Sequence, residues 1–375
     1  MGPNALGASR TVARIVGTGM AVPECVVDNA LLARCMNTSD EWIVQRTGIR
    51  ERRVSPDTYR MLLRLAEAAD KTAFMAEVRA QGLDGRIDSS LMVSDLAADA
   101  SRAALASAGL APADVDCIVD AYTFPDYAYP GSACVLHGKL GLATTPAFSL
   151  HQGCAGFVYG LSLADQFIRG GMYRRVLVVG SDLLSSSFDY TDVGRDMAVL
   201  FADGAGAAVL QAEEADPVRP RGILSHHLHS DGSALDSLYG EGFGSSTFPL
   251  VSKQKIDEGR TRPRMNGRAV FIQAVRRVRE VVQESLDANA LKPADVDLYL
   301  FHQANLRIVD AVAEHFGIPT DRTYNNIERY GNTAAASVAI CLHQAVAAGR
   351  LREGDLVMLV AFGTGFSWGA TLLRW

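Results

Sequence analysis

Lysine is scarce in this chain: only five of its 36 basic residues, at 71, 139, 253, 255 and 292, are lysines, and the rest are arginines. We read that bias as GC-rich coding rather than function. An excess of positive charge is also missing. The net charge of -6 lacks the basic surface that a general nucleic-acid binder needs to neutralise phosphates. Long apolar runs are absent as well. The stretch Leu356 to Phe362 falls far short of the roughly 18 residues a membrane helix requires, and it suits a buried strand. Met1 to Arg14 lacks a basic segment followed by a continuous apolar one, and Leu6 stands where a myristoylation signal needs Ser or Thr. The cysteines, six in number at 25, 35, 117, 134, 154 and 341, form no CxxC pair, so a disulfide framework is not expected. These absences predict a cytoplasmic protein with reduced thiols, no membrane segment and no nucleic-acid partner.

What is present is an ordinary globular composition, 48% hydrophobic and 21% charged over 375 residues. Against a prior of about 150 residues per domain, that length holds two or three domain equivalents. An internal repeat organises them. Leu110-Ala-Pro-Ala-Asp-Val-Asp116 returns as Leu291-Lys-Pro-Ala-Asp-Val-Asp297, 181 residues later. Each copy follows an amphipathic helical stretch, Leu91 to Ala108 and Val270 to Ala290, and precedes an apolar strand, Cys117 to Ala121 and Leu298 to Phe301. Val176 to Gly180 and Val357 to Ala361 stand at the same offset, each after a helix closing near glycine, at 170 and 349. The chain therefore reads as a duplicated α/β unit, 10–212 and 213–375, with two mixed sheets sharing a central helical layer.

The duplication aligns two turns of different chemistry. A strand from Ala147 to His151 leads into Gly153-Cys154-Ala-Gly and an apolar helix from Phe157 to Ile168; Tyr330 leads into Gly331-Asn332-Thr and a helix to about Ala348. A helix N-terminus favours a thiolate, which predicts a Cys154 pKa below the roughly 8.5 of a free thiol and makes Cys154 the candidate nucleophile. The competing reading is a small residue chosen for close helix packing.

Four ordered motifs decide between them. Cys154-Ala-Gly-Phe-Val-Tyr-Gly-Leu161, His302-Gln-Ala-Asn-Leu-Arg-Ile308, Tyr330-Gly-Asn332-Thr-Ala-Ala-Ala-Ser-Val338 and Phe362-Gly-Thr-Gly-Phe-Ser-Trp-Gly369 together resemble the ketoacyl-ACP synthase III enzymes of the thiolase superfamily. The segments Asn37 to Arg52, Asp203 to Leu210 and His227 to Ser233 extend the resemblance over nearly the whole chain. It implies a thiolase-like αβαβα fold and an acyl-enzyme on Cys154, loaded from a coenzyme A or carrier-protein thioester, with His302 and Asn332 serving the second substrate. A cysteine thioester keeps the acyl group activated for a second nucleophile. When that nucleophile is a malonyl thioester losing carbon dioxide, His302 Nε2 and the Asn332 amide suit the developing enolate, while the Cys154 N–H and the loop Gly363, Thr364, Gly365 suit the tetrahedral oxyanion.

By the same resemblance, Trp42 and Arg46 hold the adenine end of coenzyme A. Met265, Gly267, Arg268, Phe271, Ala304 and Asn305 line the pantetheine tunnel, and Arg307 docks the carrier protein. Tyr129 and Phe362 bound the acyl pocket, Tyr129 reaching it from the partner of a symmetric dimer. No tightly bound cofactor is implied; the coenzyme A or phosphopantetheine thioester is substrate.

Rival signals are weaker. Gly204-Ala-Gly206 runs into a strand rather than opening a helix, which speaks against a dinucleotide. His226, His227 and His229 lack usual zinc spacing. Arg276, Arg277 and Arg279 flank Val275 and Val278 and read as a solvated helix face.

The departures from the family pattern bear on substrate. An insertion of roughly 30 residues at about 55–90 carries Met61, Leu62, Leu65, Ala69 and Phe74 at near-helical spacing, predicting one long helix that ends near Gly82. Arg268 replaces a usual asparagine, and His151-Gln152-Gly153 replaces small residues. Together with the Tyr129 hydroxyl, these suggest a non-standard acyl group and a role in secondary metabolism. Three functions fit: decarboxylative condensation, acyl transfer from Cys154 to a hydroxyl or amine of a natural product with His302 as base, and non-catalytic carrier binding.

Overall fold

The computed structural model describes residues 11–375, apart from 87, 217–219 and 243, so Leu6 and most of the Met1 to Arg14 stretch lie outside it. The first sheet contains β1 (Thr11–Ala21), β2 (Cys117–Ala121), β3 (Ala147–Leu150), β4 (Arg175–Asp182) and β5 (Gly204–Glu214), in the spatial order β1-β5-β4-β2-β3. The second contains β6 (Gly222–Ser230), β7 (Leu298–Phe301), β8 (Leu356–Gly363) and β9 (Ser367–Arg374), in the order β7-β8-β9-β6. The repeat carries β2 onto β7 and β4 onto β8, and each pair is parallel, with an antiparallel strand beyond it. The second-half counterpart of β3 shrinks to a single parallel bridge, Tyr299 to Thr323.

The helices used below are α1 (Asp40–Thr47), α2 (Pro56–Glu67), α3 (Lys71–Gln81), α4 (Val93–Ser107), α5 (Gly156–Arg169), α6 (Gly267–Ala288), α7 (Leu306–Phe316) and α8 (Ser337–Ala347). Helices α5 and α8 form the middle layer. Phe157, Val158 and Leu161 of α5 and Val338 and Leu342 of α8 pack with Val178 of β4 and Leu359 of β8 in one core. On the outside, α4 covers the first sheet, and α6 and α7 cover the second. The result is the five-layer thiolase-like fold. Both faces of the central strands are buried, which is why β2, β4, β7 and β8 read as nearly continuous apolar runs rather than alternating ones.

The insertion is helical, but it is two helices rather than one. The chain turns extended at Ala68, where φ is −63° and ψ 134°, and Asp70 then caps α3 by accepting the Ala73 N–H. Lys71 Nζ donates back to the carbonyls of Leu65 and Ala66 at 2.7 and 2.9 Å. A helix end leaves its last carbonyls unpaired. Here a cation reaches two of them, one already accepting the Ala68 N–H, while a carboxylate caps the next helix, and both contacts stabilise the break. Met61, Leu62 and Leu65 of α2 and Met75 of α3 bury the inward faces, and α3 closes at Gly82.

Candidate active site

The duplicated turns meet at the C-terminal ends of the two sheets. Between β3 and α5 the chain makes one 3-10 turn, Gly153–Ala155, that carries Cys154. Gly153 has a φ of +52°, and a Cβ there would sit 2.6 Å from Thr364 Cγ2, so both backbone and space demand glycine. Gly363 comes equally close from the other sheet: a Cβ on it would lie 2.9 Å from that of Cys154. The two halves thus touch at Cys154.

His302 directly follows β7, and its N–H donates to the Val360 carbonyl at 2.7 Å. Gln303, wholly enclosed, fixes that turn. Its Nε2 donates to the Phe301 carbonyl at 2.9 Å, its Oε1 accepts the Asn326 N–H at 3.0 Å, and its own N–H donates to Ser337 Oγ at 2.8 Å. Asn332 is tied to the segment before β5: its N–H donates to the Leu200 carbonyl, and its carbonyl accepts the Ala202 N–H, both at 2.9 Å. Asn332 Oδ1 accepts the Ala334 N–H at 2.9 Å. With the oxygen so engaged, the Nδ2 hydrogens are left for the cavity.

Cys154, His302 and Asn332 line one cavity of about 520 Å³, together with Phe362 and Gly363. Trp42, Arg46, Met265, Gly267, Arg268, Phe271, Ala304, Asn305 and Arg307 line it toward the mouth. Asn305 Nδ2 donates to the Arg46 carbonyl at 2.9 Å, joining α7 to α1, and the Arg307 guanidinium lies 5.5 Å from the Phe271 ring. Three expected residues do not line the cavity. Thr364 turns away to donate its hydroxyl to the Leu238 carbonyl at 2.7 Å, Gly365 lies beyond it, and Tyr129 is 87% exposed on its own chain.

The charge state of the site differs from expectation. Burial pushes the Cys154 thiol up to about 12, and the Asp182 carboxylate pushes the same way. Among the described residues no cation is found to offset that burial. Burial likewise holds His302 down to about 4, with its Nδ1 enclosed and unpartnered. Burial therefore favours the neutral forms of both the thiol and the imidazole.

Two residues that pack beside the site were not found from sequence. Arg195 stacks over Trp42, its guanidinium carbon 4.9 Å from the ring centre, while Arg46 stands 4.5 Å from the same ring. Asp182 ends β4 and accepts from Thr123 N–H and Oγ1 at 2.8 and 2.9 Å. The repeat offset places Asp182 opposite Gly363, so a carboxylate where the other half has glycine was a usable signal.

The rival motifs resolve as follows. His227 Nδ1 and His229 Nε2 share Glu284 at 3.3 and 2.6 Å, and His226 Nε2 lies 3.5 Å from Asp165. Among the described residues no group of three or more His, Cys, Asp or Glu is placed to hold a metal. Gly204 and Gly206 lie within β5. Arg277 is not a simple solvated residue, since it lies 4.6 Å from the Trp368 ring centre and pairs with Asp231 at 2.9 Å. Its neighbour Arg276 pairs with Glu280 along α6. No helix of the described residues is long and apolar enough to cross a membrane.

The chain is similar to known proteins over nearly its whole length. Residues 148–232 match the family described as 3-oxoacyl-(acyl-carrier-protein) synthase III, and residues 286–375 match its C-terminal family. The beta-ketoacyl-(acyl-carrier-protein) synthase III of Rhodospirillum centenum is 42% identical over 361 residues, covering 96% of this chain and 98% of that protein. The crystal structure of the Aquifex aeolicus 3-oxoacyl-(acyl-carrier-protein) synthase III superposes with a TM-score of 0.80 at 35% identity, over 97% of this chain and 100% of that one. A priming beta-ketosynthase from the R1128 polyketide pathway superposes with a TM-score of 0.80 at 29% identity, over 99% and 98% of the two chains.

Proposed function

The chain belongs to the 3-oxoacyl-(acyl-carrier-protein) synthase III family, and from that premise we propose that it condenses an acyl group held on Cys154 with a malonyl thioester, releasing carbon dioxide. The observation that carries this reading is the convergence of Cys154, His302 and Asn332 on one cavity from two duplicated halves. In the first half-reaction the Cys154 sulfur attacks a thioester carbonyl, the thiol proton passes to the departing thiolate, and coenzyme A or the carrier leaves. The cysteine attacks from a neutral resting state, so negative charge appears only as it passes to the thioester oxygen. The Cys154 and Gly363 N–H groups are the proposed donors to that oxygen.

In the second half-reaction the malonyl carboxylate leaves as carbon dioxide, and the electron pair it leaves forms an enolate. The enolate carbon bonds to the acyl carbon, the carbon–sulfur bond to Cys154 breaks, and the sulfur takes up one proton from solvent water to restore the thiol. Neutral His302 and Asn332 Nδ2 are the proposed donors to the enolate oxygen. Two neutral donors in a mostly apolar cavity stabilise charge that develops in the reaction.

The mouth suits the rest of such a substrate. We assign Trp42, with Arg46 and Arg195, to a flat purine ring, and Arg268 and Arg307 to phosphates or an acidic carrier protein. We further propose a cytoplasmic homodimer, joined at the β3 edge. The family premise favours condensation over transfer to a hydroxyl or amine. Incubation with acyl-CoA should add the acyl mass to Cys154, and malonyl thioester should then release one carbon dioxide per acyl group consumed. Cys154→Ala should abolish the first step; Asn332→Ala should keep it and slow the second roughly 10²-fold. An acyl adduct on Cys154→Ala would sink the assignment, and product formed without carbon dioxide would return the transfer reading.

A further inference from the structure

The cavity does not stop at the reacting residues. It is also lined by Ala274 and Val278 of α6, Val309 and Val312 of α7, Phe301 of β7 and Val360 of β8. All six are no more than 5% exposed and belong to the outer core beneath α6 and α7. Val278 lies eleven residues beyond Gly267 at the mouth, which on a helix is about 16 Å.

Strand alternation shows where this extension runs. On β8, Gly363 faces Cys154, whereas Phe362 and Val360 lie on the opposite face, packed with α6. The hollow therefore reaches from the Cys154 side of β8 to the outer side of the second sheet. Protein interiors are close-packed, with few voids larger than water, and an apolar void offers water no partners. A hollow continuous with a reaction site and walled only by apolar side chains there fits a hydrocarbon.

Resting on the functional reading above, we propose that this extension is a subsite for the alkyl chain of a thioester substrate, with Ala274 and Val312 setting the length that fits. The chain could be borne by the acyl donor or by the second thioester as a 2-alkylmalonyl group. Both present the same chemistry to the subsite.

Two arms distinguish the sources. In the first, acetyl-CoA and octanoyl-CoA acylate Cys154 in single turnovers followed by intact-protein mass. In the second, acetyl-enzyme receives malonyl- or hexylmalonyl-pantetheine, and carbon dioxide release is followed. Each methylene buried is worth roughly fourfold in selectivity, so Ala274→Phe should lower the long-to-short ratio of kcat/KM at least tenfold in one arm. Val278→Ala should raise that ratio in the same arm, and it carries the test should Ala274→Phe fail to fold. A ratio unmoved in both arms by the folded variants overturns the subsite alone. Failure of both acyl-CoAs to load Cys154 overturns the functional reading and the subsite with it.

Discussion

The carboxylate of Asp182, on the last residue of β4, accepts the Ala335 N–H at 2.9 Å and so ties the first sheet to the turn that carries Asn332. It also accepts from Thr123 and, at 3.4 Å, from the Phe124 N–H. Asp182→Ala would leave buried donors unpaired at about 1–3 kcal/mol each, so thermal unfolding should show a loss of at least about 3 kcal/mol. Asp182→Asn keeps an acceptor and removes the charge beside the sulfur. Its Cys154 should then react with iodoacetamide at lower pH than the parent's, and an unshifted pH profile would remove Asp182 from the electrostatics of the nucleophile.

Asp120 gives a stability prediction with a definite sign. It is wholly buried on β2, with Ser181 Oγ at 3.1 Å on one oxygen and nothing on the other. Burial pushes its carboxyl up to about 7, and Asp126 and Asp182 add to this against the Ser181 hydrogen bond. A carboxyl raised on folding stabilises the protein fully below the unfolded value near 3.9, and that contribution is lost as pH rises through 7. Asp120→Asn should therefore exceed the parent by at least about 1 kcal/mol at pH 8, with the gap closing toward pH 4. A gap that widened on acidification would reverse the assignment.

The insertion reaches the cavity wall through an ion cluster. Asp189 Oδ2 accepts from Arg79 of α3 and from Arg262, each at 2.5 Å, while Asp189 Oδ1 accepts the Thr191 hydroxyl and N–H. Arg262 lies just before the short strand Arg264–Met265 that leads into the mouth. Arg79→Met should raise KM for the coenzyme A thioester roughly threefold to tenfold with kcat within about twofold, and Arg79→Lys should recover part of it. An equal fall in kcat and unchanged KM would make the cluster merely structural.

Tyr129 does not line the cavity of its own chain, and Phe148 stands 41% exposed on the β3 edge. Pairing of two such edges would cover both and bring each Tyr129 toward the other subunit's site. Light scattering should give a dimer, and Tyr129→Ala should alter the preference among acyl-CoA chain lengths. A monomer would exclude Tyr129 from the pocket.

The strands, the repeat and the turns that carry Cys154 and Asn332 were legible because each is local. Four or five apolar residues declare a buried strand, and glycine before a functional side chain declares a turn that opens a helix. The break between α2 and α3 was missed because it depends on Lys71 reaching back to carbonyls already placed. Arg195 was missed because its partner Trp42 is over 150 positions away, and no spacing rule links them.

Sequence alone determined which groups this protein can use and that two copies of one unit would present them. It could not determine their ionisation. Whether the sulfur rests as thiol or thiolate turns on the water excluded around it and on the carboxylate that packing brings near, and both are properties of the assembled layers. The apolar hollow beneath α6 is likewise a product of packing, since its walls come from four elements and each alone reads only as core.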